Sequence, residues 1–473
     1  MIKNSTGSEL LQNFLEVLAR HRSGFGQERV YWRAVGMVVG EVFNFGRHTV
    51  TQGLMTLGIT DGDWSSWYRL FSGRRYKEER VAKIFVRETL VHTRRAEPYV
   101  VGVDGVQIPR SSLRMPGTSW LKAPRTPVFK VGIHRAQRFV HGAWLTPMEA
   151  GYSRAVPLRF LPAFPPKARP ANLPTQTEGE AGLSFLHWTR QSLDEEGREE
   201  QLLLALADGS FDTLNVWRGL PERTVLAVRT ARNRRLYHLP EKREGPGRPA
   251  SYGALAPHPW EWLHKHISWQ KRDIPVRGKT ILMKFHVLGP FVREGLPDIP
   301  MFLFVVKGMH RKVGKKKLRW KHRKPSFYLV SAVQVAGQWQ LPLPVETILT
   351  WLWQRWELEV AHREMKSGFG VGEKQCWNPH STISSVQWNV WVYALLLLSA
   401  YRTWGLLHAP PIPTRWWQGA KRWSFNTLWR QFRSAFWGTP QFQALWTRTP
   451  DNWLKKESFL IGLSNSIAAS ARI

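Results

Sequence analysis

Residues 99–105 read YVVGVDG, with an apolar run that ends on Asp104. A run of this kind is typical of a strand whose two faces are both buried. A second apolar run, LLLALAD, ends on Asp208, and a third, TVLAVRT, occupies residues 224–230. A helical pattern at residues 182–196 lies between the first two runs. Strands mixed with helices in this order predict an α/β core.

The chain before this core has the pattern of a helical domain. Residues 1–97 contain the segments LLQNFLEVLARH, VYWRAVGMVVGEVF and KEERVAKIFVRETLVHT, all with apolar residues at helical spacing. Two shorter helical patterns, at residues 49–57 and 64–71, flank a turn and precede Arg74 and Arg75. This arrangement is compatible with a helix-turn-helix-like reader of duplex DNA, and an ordinary helical hairpin with a basic end fits the spacing equally well.

The rest of the chain divides where the residue pattern changes. After the core strands comes a basic stretch in which strand-like segments such as MFLFVVKG alternate with turns, and helical spacing then returns. The final segment alternates Trp and Arg, which suits either nucleic-acid contact or a helical core. We therefore predict a helical DNA-binding domain at 1–97, a first part of the core at 98–230, a β-rich insertion at 231–344, the rest of the core at 345–405, and a basic, Trp-rich region at 406–473.

The chain is strongly basic, with 68 Lys and Arg residues against 35 Asp and Glu residues among 473, a formal charge of +33. This charge predicts a polyanionic partner, because binding to a polyanion releases its counterions. It does not distinguish an enzyme that acts on DNA from a passive DNA-binding protein, a ribosome-associated protein or a membrane-surface protein. The charge therefore predicts the class of partner and leaves the activity open.

Cysteine content and hydropathy bear on the compartment. Cys376 is the single cysteine, which excludes intramolecular disulfides and thiolate zinc sites and favours a reducing compartment. The first residues lack the continuous apolar region of a signal peptide, so we expect a cytoplasmic protein. Residues 386–404 are the one candidate for a membrane span, but polar residues interrupt them, and we predict a buried helix instead.

Carboxylates are scarce in this chain, and two of them follow the most apolar strands. Asp104 and Asp208 each stand at the predicted carboxyl end of a strand, where α/β folds place their ligands. Each precedes a glycine, Gly105 or Gly209, which would let the backbone turn away and leave the carboxylate open. A plain Asp-Gly turn is the alternative at either site, but two matching strand ends favour a functional pair.

A third carboxylate is expected from the helix that follows the insertion. Helical phase places Glu359 on the stripe that continues from Leu352, and it places Glu357 and Glu364 on the other side. The apolar start of the stripe predicts that Glu359 faces the core and that the other two glutamates lie at the surface. The alternative is a ladder of ion pairs, on a solvated face, between Glu359 and the arginines four residues before and after it.

Two aspartates and a glutamate at one sheet edge are the ligands that two-metal phosphoryl transfer requires. Hard oxygen ligands suit Mg²⁺ or Mn²⁺, and two ions per site would activate the attacking oxygen and stabilise the leaving oxygen of a phosphodiester. The sequence contains no phosphate-binding GxxxxGK[ST], no HExxH and no cysteine pair. We therefore predict Asp104, Asp208 and Glu359 as metal ligands and catalytic residues.

The spacing of these residues resembles that of the DDE transposases of bacterial insertion sequences. The third motif of that cut-and-paste group is Tyr-x-x-Arg-x-x-x-Glu-x-x-x-x-x-x-Lys. Arg355, Glu359 and Lys366 fit it, while Leu352 stands where the tyrosine should be. VVGVDG is similar to the motif of the first aspartate, and LALADGSF is similar to that of the second. The resemblance covers about residues 30–405.

The resemblance implies an RNase H-like catalytic core interrupted by a β-rich insertion, with helical regions at both ends of the chain. It also implies a homodimer on double-stranded DNA, both transposon ends and target. Cleavage would free a 3′-hydroxyl, pass through a hairpin and end in strand transfer. Arg355, Lys366 and Arg363 would contact DNA, and a tryptophan of the insertion would stabilise a flipped base. The candidates for this tryptophan are Trp320 and Trp339, and Arg319 and Lys321 on either side of Trp320 are further predicted DNA contacts.

The sequence therefore predicts a metal-dependent DNA transposase of the bacterial cytoplasm, associated with the nucleoid and not with a membrane. Two alternatives stay open. A structure-selective nuclease of the same fold would cut DNA without joining it. A non-catalytic DNA-binding protein derived from a transposase would bind DNA without cutting it.

Overall fold

One sheet of eleven strands runs through the middle of the protein. The structure, a computed structural model, describes residues 5–73, 75–123, 132–166, 173, 175–241, 250–310, 324–410 and 421–437. The strands of the large sheet are β1 (Tyr99–Pro109), β2 (Thr118–Lys122), β3 (Ile133–Leu145), β4 (Ala155–Pro162), β5 (Leu203–Ala207), β6 (Thr224–Arg229), β7 (Leu236–His238), β8 (Gln270–Val276), β9 (Lys279–Arg293), β10 (Leu296–His310) and β11 (Ser326–Ser331). A separate ribbon consists of β12 (Val333–Val335) and β13 (Gln338–Gln340).

The strands lie in the order β2-β3-β1-β5-β6-β11-β10-β9-β7, with β4 beside the end of β3 and β8 beside the start of β9. β1 is antiparallel to β3 and parallel to β5, and β5 is parallel to β6. β11 pairs with β6 in antiparallel orientation, so the strands of residues 231–344 extend the sheet of the core. The apolar runs that form β1 and β5 become central strands, because a continuous apolar sequence can be covered on both faces.

Helices flank the sheet and make up the amino-terminal part of the chain. They are α1 (Ser5–Arg20), α2 (Glu28–Phe43), α3 (Val50–Thr56), α4 (Ser65–Ser72), α5 (Glu78–Leu90), α6 (Glu178–Glu195), α7 (Leu214–Arg218), α8 (Val345–Gln354), α9 (Trp356–Arg363), α10 (Pro379–Trp404) and α11 (Phe425–Trp437). The helical pattern predicted before the core is confirmed, including the two short helices α3 and α4.

The long apolar helix α10 is a core helix of this structure. It is long and apolar enough to cross a membrane, but 94% of its most apolar window is buried inside the protein. α1 packs against it from the amino-terminal part of the chain, and β4 packs against it from the sheet. This placement confirms the buried helix that we predicted for residues 386–404 from the polar residues that interrupt them.

The prediction that β1 ends at Asp104 is wrong. The strand continues to Pro109 because its second half pairs with β3 after its parallel pairing with β5 has stopped. Gly105 therefore lies within the strand and makes no turn. Asp208, by contrast, directly follows the end of β5, as predicted.

The single helix expected after the insertion is interrupted. α8 ends at Gln354 and α9 begins at Trp356, so Arg355 stands at the junction of the two helices. One turn of π-helix, Glu364–Gly368, follows α9 directly. Arg355 itself keeps α-helical backbone angles (φ −51°, ψ −30°), so the helical phase of α8 continues into α9.

Candidate active site

The aspartates after the two apolar runs lie on adjacent strands. Val103 pairs with Ala207 in the parallel register, so Asp104 and Asp208 each stand one residue beyond the last parallel pair. Neighbouring strands are about 4.8 Å apart, which places both aspartates at one edge of the parallel part of the sheet. Asp208 also caps the short 3-10 turn that follows it, by accepting a hydrogen bond of 2.6 Å from the backbone N–H of Ser210.

Glu359 approaches the same edge from helix α9. The helix packs closely on β1 because Gly102 has no side chain: a Cβ atom there would lie 2.6 Å from Cδ1 of Leu358. Arg355 places its Nη2 atom 2.8 Å from Oε1 of Glu359 and its Nη1 atom 3.5 Å from Oδ2 of Asp104. One guanidinium therefore links the first predicted ligand to the third.

The other two carboxylates and Arg355 affect the electrostatics of Asp104. The pKa of Asp104 is raised from 3.8 to about 7, above all because burial removes water from its carboxyl group. The positive charge of Arg355 lowers this pKa, whereas the negative charges of Asp208 and Glu359 raise it. The structure thus brings together side chains from three separate parts of the sequence.

The ligand atoms of Asp104, Asp208 and Glu359 are chemically suited to a hard divalent cation, since all three side chains offer carboxylate oxygens. The shared guanidinium of Arg355 stands between Asp104 and Glu359. In the parts of the chain that are described, no three His, Cys, Asp or Glu side chains lie close enough together to hold a metal ion. Because Arg355 pairs with Asp104 and Glu359, a cation bound by these two carboxylates would compete with it.

Glu357 and Glu364 are not surface residues, contrary to the prediction from helical phase. The side chain of Glu357 is 10% exposed and accepts a hydrogen bond of 3.1 Å from Nη2 of Arg277. Glu364 pairs with Arg154 and accepts a hydrogen bond of 2.6 Å from the hydroxyl of Tyr393. Both glutamates thus hold buried or half-buried arginines in place.

The prediction that Glu359 faces the core is also wrong, because the buried stripe of α9 continues from Trp351 and Gln354 of α8 and not from Leu352. Trp356, which the same phase placed on the core side, is 51% exposed, and the side chain of Glu359 is 36% exposed. The buried face of α9 and of the π-helical turn after it consists of Leu358, Ala361 and Met365. Glu359 is therefore directed to the sheet edge by the packing of α9 on β1.

A cleft of about 560 Å³ opens beside Glu359, between the strands of the insertion and the junction of α8 with α9. The side chains of its lining that carry a charge or an aromatic ring are Arg229, Arg277, Lys279, Lys324, Arg355, Glu359, Tyr328, Trp353 and Trp356. Leu352, which stands where the third sequence motif has a tyrosine, is buried and contributes to the apolar part of this lining. Five cations against a single carboxylate make the cleft suitable for a polyanion.

The structure describes only some of the residues that were predicted to contact DNA. Arg363 is exposed on α9, and Lys366 is partly exposed in the π-helical turn. Arg75 is partly exposed after α4, and Trp339 is partly exposed on β13. Four other predicted contacts lie outside the described residues: Arg74, Arg319, Trp320 and Lys321.

Sequence reasoning missed a fourth carboxylate near this edge. Glu178, the first residue of α6, accepts a hydrogen bond of 2.9 Å from the hydroxyl of Ser210 and pairs with Nη1 of Arg138 at 3.2 Å. A capping box between Thr177 and Glu180 starts α6 at Glu178, four residues before the predicted start. That sequence signal would have placed Glu178 at the correct end of the helix.

A buried histidine on β3 contacts a partly buried histidine on α9. His141 is the cross-strand partner of Asp104, and its Nδ1 atom lies 2.8 Å from Nε2 of His362, one turn after Glu359. Burial lowers the pKa of His362 to about 3 and that of His141 well below its usual value, so both rings are neutral near pH 7. One neutral ring donates to the other, and the pair ties α9 to β3.

Fold and site together define a mixed α/β protein with three carboxylates and an arginine at one edge of its sheet. No protein-family model and no curated protein sequence matches the chain. Among solved structures, the chain is similar to a piggyBac transposase in a synaptic complex with hairpin DNA, with 11% sequence identity and a TM-score of 0.35. The match covers 86% of this chain and 65% of that one. Conclusions about function depend on the residues of the site.

Proposed function

We propose that this protein is a DDE-type DNA transposase. It would bind the terminal inverted repeats of a transposon, cleave its ends by phosphoryl transfer that depends on a divalent metal, and join the 3′-hydroxyl ends to target DNA. The observation that carries the proposal is the position of Asp104 and Asp208 at one sheet edge, with Glu359 linked to Asp104 through Arg355 and lining a basic cleft, in a chain with a formal charge of +33.

The order of the core strands supports this proposal. β3 is antiparallel to both β1 and β4, and β5 and β6 are added parallel to β1, a strand order that would suit the RNase H-like core we propose. The strands of the insertion enter between β6 and α8, and hence between the second aspartate and the glutamate. The resemblance in the sequence implies an insertion at this place.

The proposed function gives each residue of the site a role. Asp104, Asp208 and Glu359 would hold Mg²⁺ or Mn²⁺, two ions per site, and the bound metal would activate the attacking oxygen and stabilise the leaving oxygen. Arg355 and Lys366 would bind the phosphate that is cleaved. Their positive charges would orient this phosphate beside the carboxylates, and such positioning lowers the barrier to phosphoryl transfer.

The cleft and the outer regions fit a DNA substrate. Cations of the cleft would neutralise phosphates, and its rings Tyr328, Trp353 and Trp356 offer stacking surfaces to bases. The amino-terminal helices would read the transposon ends, and two copies of the chain would act on paired ends in the bacterial cytoplasm. If cleavage passes through a hairpin, Trp339 or Trp320 would support the flipped base.

Cleavage of DNA that carries the inverted repeats flanking the gene tests this proposal. With Mg²⁺ or Mn²⁺ we expect the wild-type protein to cut at the repeat ends and to join them to a target plasmid. Glu359→Gln should abolish cutting and retain DNA binding, because it removes one ligand charge and preserves the side-chain shape. Glu346→Gln, an exposed glutamate on α8, is the matched control and should cut normally.

Each other outcome has a defined meaning. Cutting by the Glu359→Gln variant would overturn the assignment of the glutamate. Cutting without joining would indicate a structure-selective nuclease. DNA binding with no cutting in any divalent metal would indicate a non-catalytic DNA-binding protein.

A further inference from the structure

Glu178 connects three elements around the loop that carries Asp208. Its Oε1 atom accepts the 2.9 Å hydrogen bond from the hydroxyl of Ser210, and its Oε2 atom lies 3.2 Å from Nη1 of Arg138 on β3. Ser210 in turn donates its backbone N–H to Oδ1 of Asp208 at 2.6 Å. Asp208 is therefore held by Ser210, and Ser210 is held by Glu178.

Gly105 provides the space that the Glu178 carboxylate needs. A Cβ atom at Gly105 would lie 2.2 Å from Oε1 of Glu178, closer than any real contact. Because Gly105 is within β1 and has no left-handed backbone angle, its small size matters here rather than its flexibility. Successive side chains of a strand point to opposite faces, so Glu178 lies on the face opposite the Asp104 carboxylate.

We infer that Glu178 is a positioning residue that fixes Asp208, through Ser210, in the orientation needed to bind the divalent metal. The inference rests on the proposed function, because it concerns the same metal site. Glu178 is suited to this role since its place in the first turn of α6 favours a negative charge, and the ion pair with Arg138 holds it against β3. Residues that orient a metal ligand in this way commonly set the affinity for the metal.

Direct measurement of Mn²⁺ binding tests the inference on the full chain, with free Mn²⁺ followed by electron paramagnetic resonance. Glu178→Ala and Ser210→Ala should each weaken Mn²⁺ binding roughly tenfold. The double variant should be no weaker than either single one, because both substitutions break the same connection. Ser210→Thr keeps the hydroxyl and should retain the wild-type affinity.

Two further variants separate positioning from general effects. Glu180→Gln removes a negative charge two residues away and preserves the capping box, so it should leave Mn²⁺ binding unchanged. Gly105→Ala places a methyl group where the carboxylate lies. It should weaken Mn²⁺ binding in the wild-type background and have no additional effect in the Glu178→Ala background.

Asp208→Asn distinguishes failure of this inference from failure of the proposed function. If Asp208→Asn leaves Mn²⁺ binding unchanged, the metal site itself is wrong, and the role of Glu178 is overturned with it. If Asp208→Asn weakens binding but Glu178→Ala and Ser210→Ala lower only the melting temperature, the positioning role alone is overturned. Independent, additive losses from Glu178→Ala and Ser210→Ala would also overturn it.

Discussion

Nη2 of Arg355 lies 2.8 Å from Oε1 of Glu359, one helical turn away, and the same guanidinium reaches Asp104. This arginine neutralises part of the negative charge at the sheet edge. A divalent cation bound by the same carboxylates would have to displace it. The displaced guanidinium would then be available to a DNA phosphate, so one residue can serve the site both before and after metal binding.

Removal of this guanidinium should make metal binding tighter. We expect Arg355→Gln to strengthen Mn²⁺ binding about fivefold, since a partly exposed ion pair is worth on the order of 1 kcal/mol. Mn²⁺ binding should be measured at a pH well above the pKa of Asp104, so that the carboxyl group is ionised in both proteins, because loss of Arg355 raises that pKa further. The same variant should cleave DNA poorly, since the phosphate loses a contact.

Arg363→Gln is the control for this prediction. It removes the same charge from an exposed position on α9. Its Mn²⁺ affinity should stay close to that of the wild type. An equal gain in both variants would mean that net charge, and not displacement of Arg355, sets the affinity.

The raised pKa of Asp104 predicts a pH dependence of metal binding. Its pKa in the folded protein is about 7, against an ordinary value of 3.8, so a proton competes with the metal below about pH 7. Mn²⁺ affinity should therefore rise with pH up to about 7 and level off above it. A flat profile over this range would contradict the assignment of Asp104 as a ligand.

The same shift predicts a pH dependence of stability. Between pH 3.8 and about 7 the folded protein holds a proton on Asp104 that the unfolded chain has lost. Protonation thus favours the folded state, and this contribution to the free energy of unfolding is lost as the pH rises through that window. Asp104→Asn removes the titrating group, so the difference in stability between variant and wild type should change with pH in urea unfolding experiments. A difference in stability that stays constant with pH would contradict the raised pKa of Asp104.

Local sequence predicted the parts of the fold that depend on local pattern. The apolar runs gave β5, β6 and the start of β1, and helical spacing gave the amino-terminal helices, because both patterns are complete within a few residues. The position of Asp208 at the end of β5 was predicted for the same reason.

Non-local contacts account for what the sequence did not predict. β1 continues beyond Asp104 only because β3 pairs with it, and β3 comes about thirty residues later. The direction of Glu359 depends on which stripe of the helix packs on the sheet, and the contact of Leu358 with Gly102 decides this. A helical wheel contains none of this information, and it therefore misassigned all three glutamates of this helix.

Substitution of Glu357 should lower stability, because this residue does not lie at the surface, where the helical phase placed it. Its side chain is mostly buried beside Arg277, which is 46% exposed. We expect Glu357→Gln to reduce the free energy of unfolding by about 1–2 kcal/mol, between the values for exposed and buried pairs. Urea unfolding measures this loss. Glu346→Gln, which breaks an exposed pair with Arg272, should change stability far less, and equal effects would refute the burial argument.

Asp212 connects the loop after β5 to the strands of the insertion. Its side chain is fully buried, accepts hydrogen bonds of 3.0 Å from Trp217 Nε1 and 2.7 Å from Thr230 Oγ1, and pairs with Arg234 and with Arg293 Nη1 at 2.9 Å. Asp212→Asn would leave two largely buried guanidinium groups without their counter-charge. We expect it to lower the free energy of unfolding by about 3 kcal/mol.

The shape of the unfolding curve adds a second criterion to this prediction. β11 pairs with β6, so the strands of the insertion and those of the core belong to one sheet. Asp212→Asn should therefore shift a single urea transition to lower concentration rather than create a separate early transition. Asp298→Asn, an exposed aspartate of β10, is the control and should change stability by less than about 0.5 kcal/mol. A separate early transition in the Asp212→Asn variant would show that Asp212, and not the shared sheet, holds the insertion to the core.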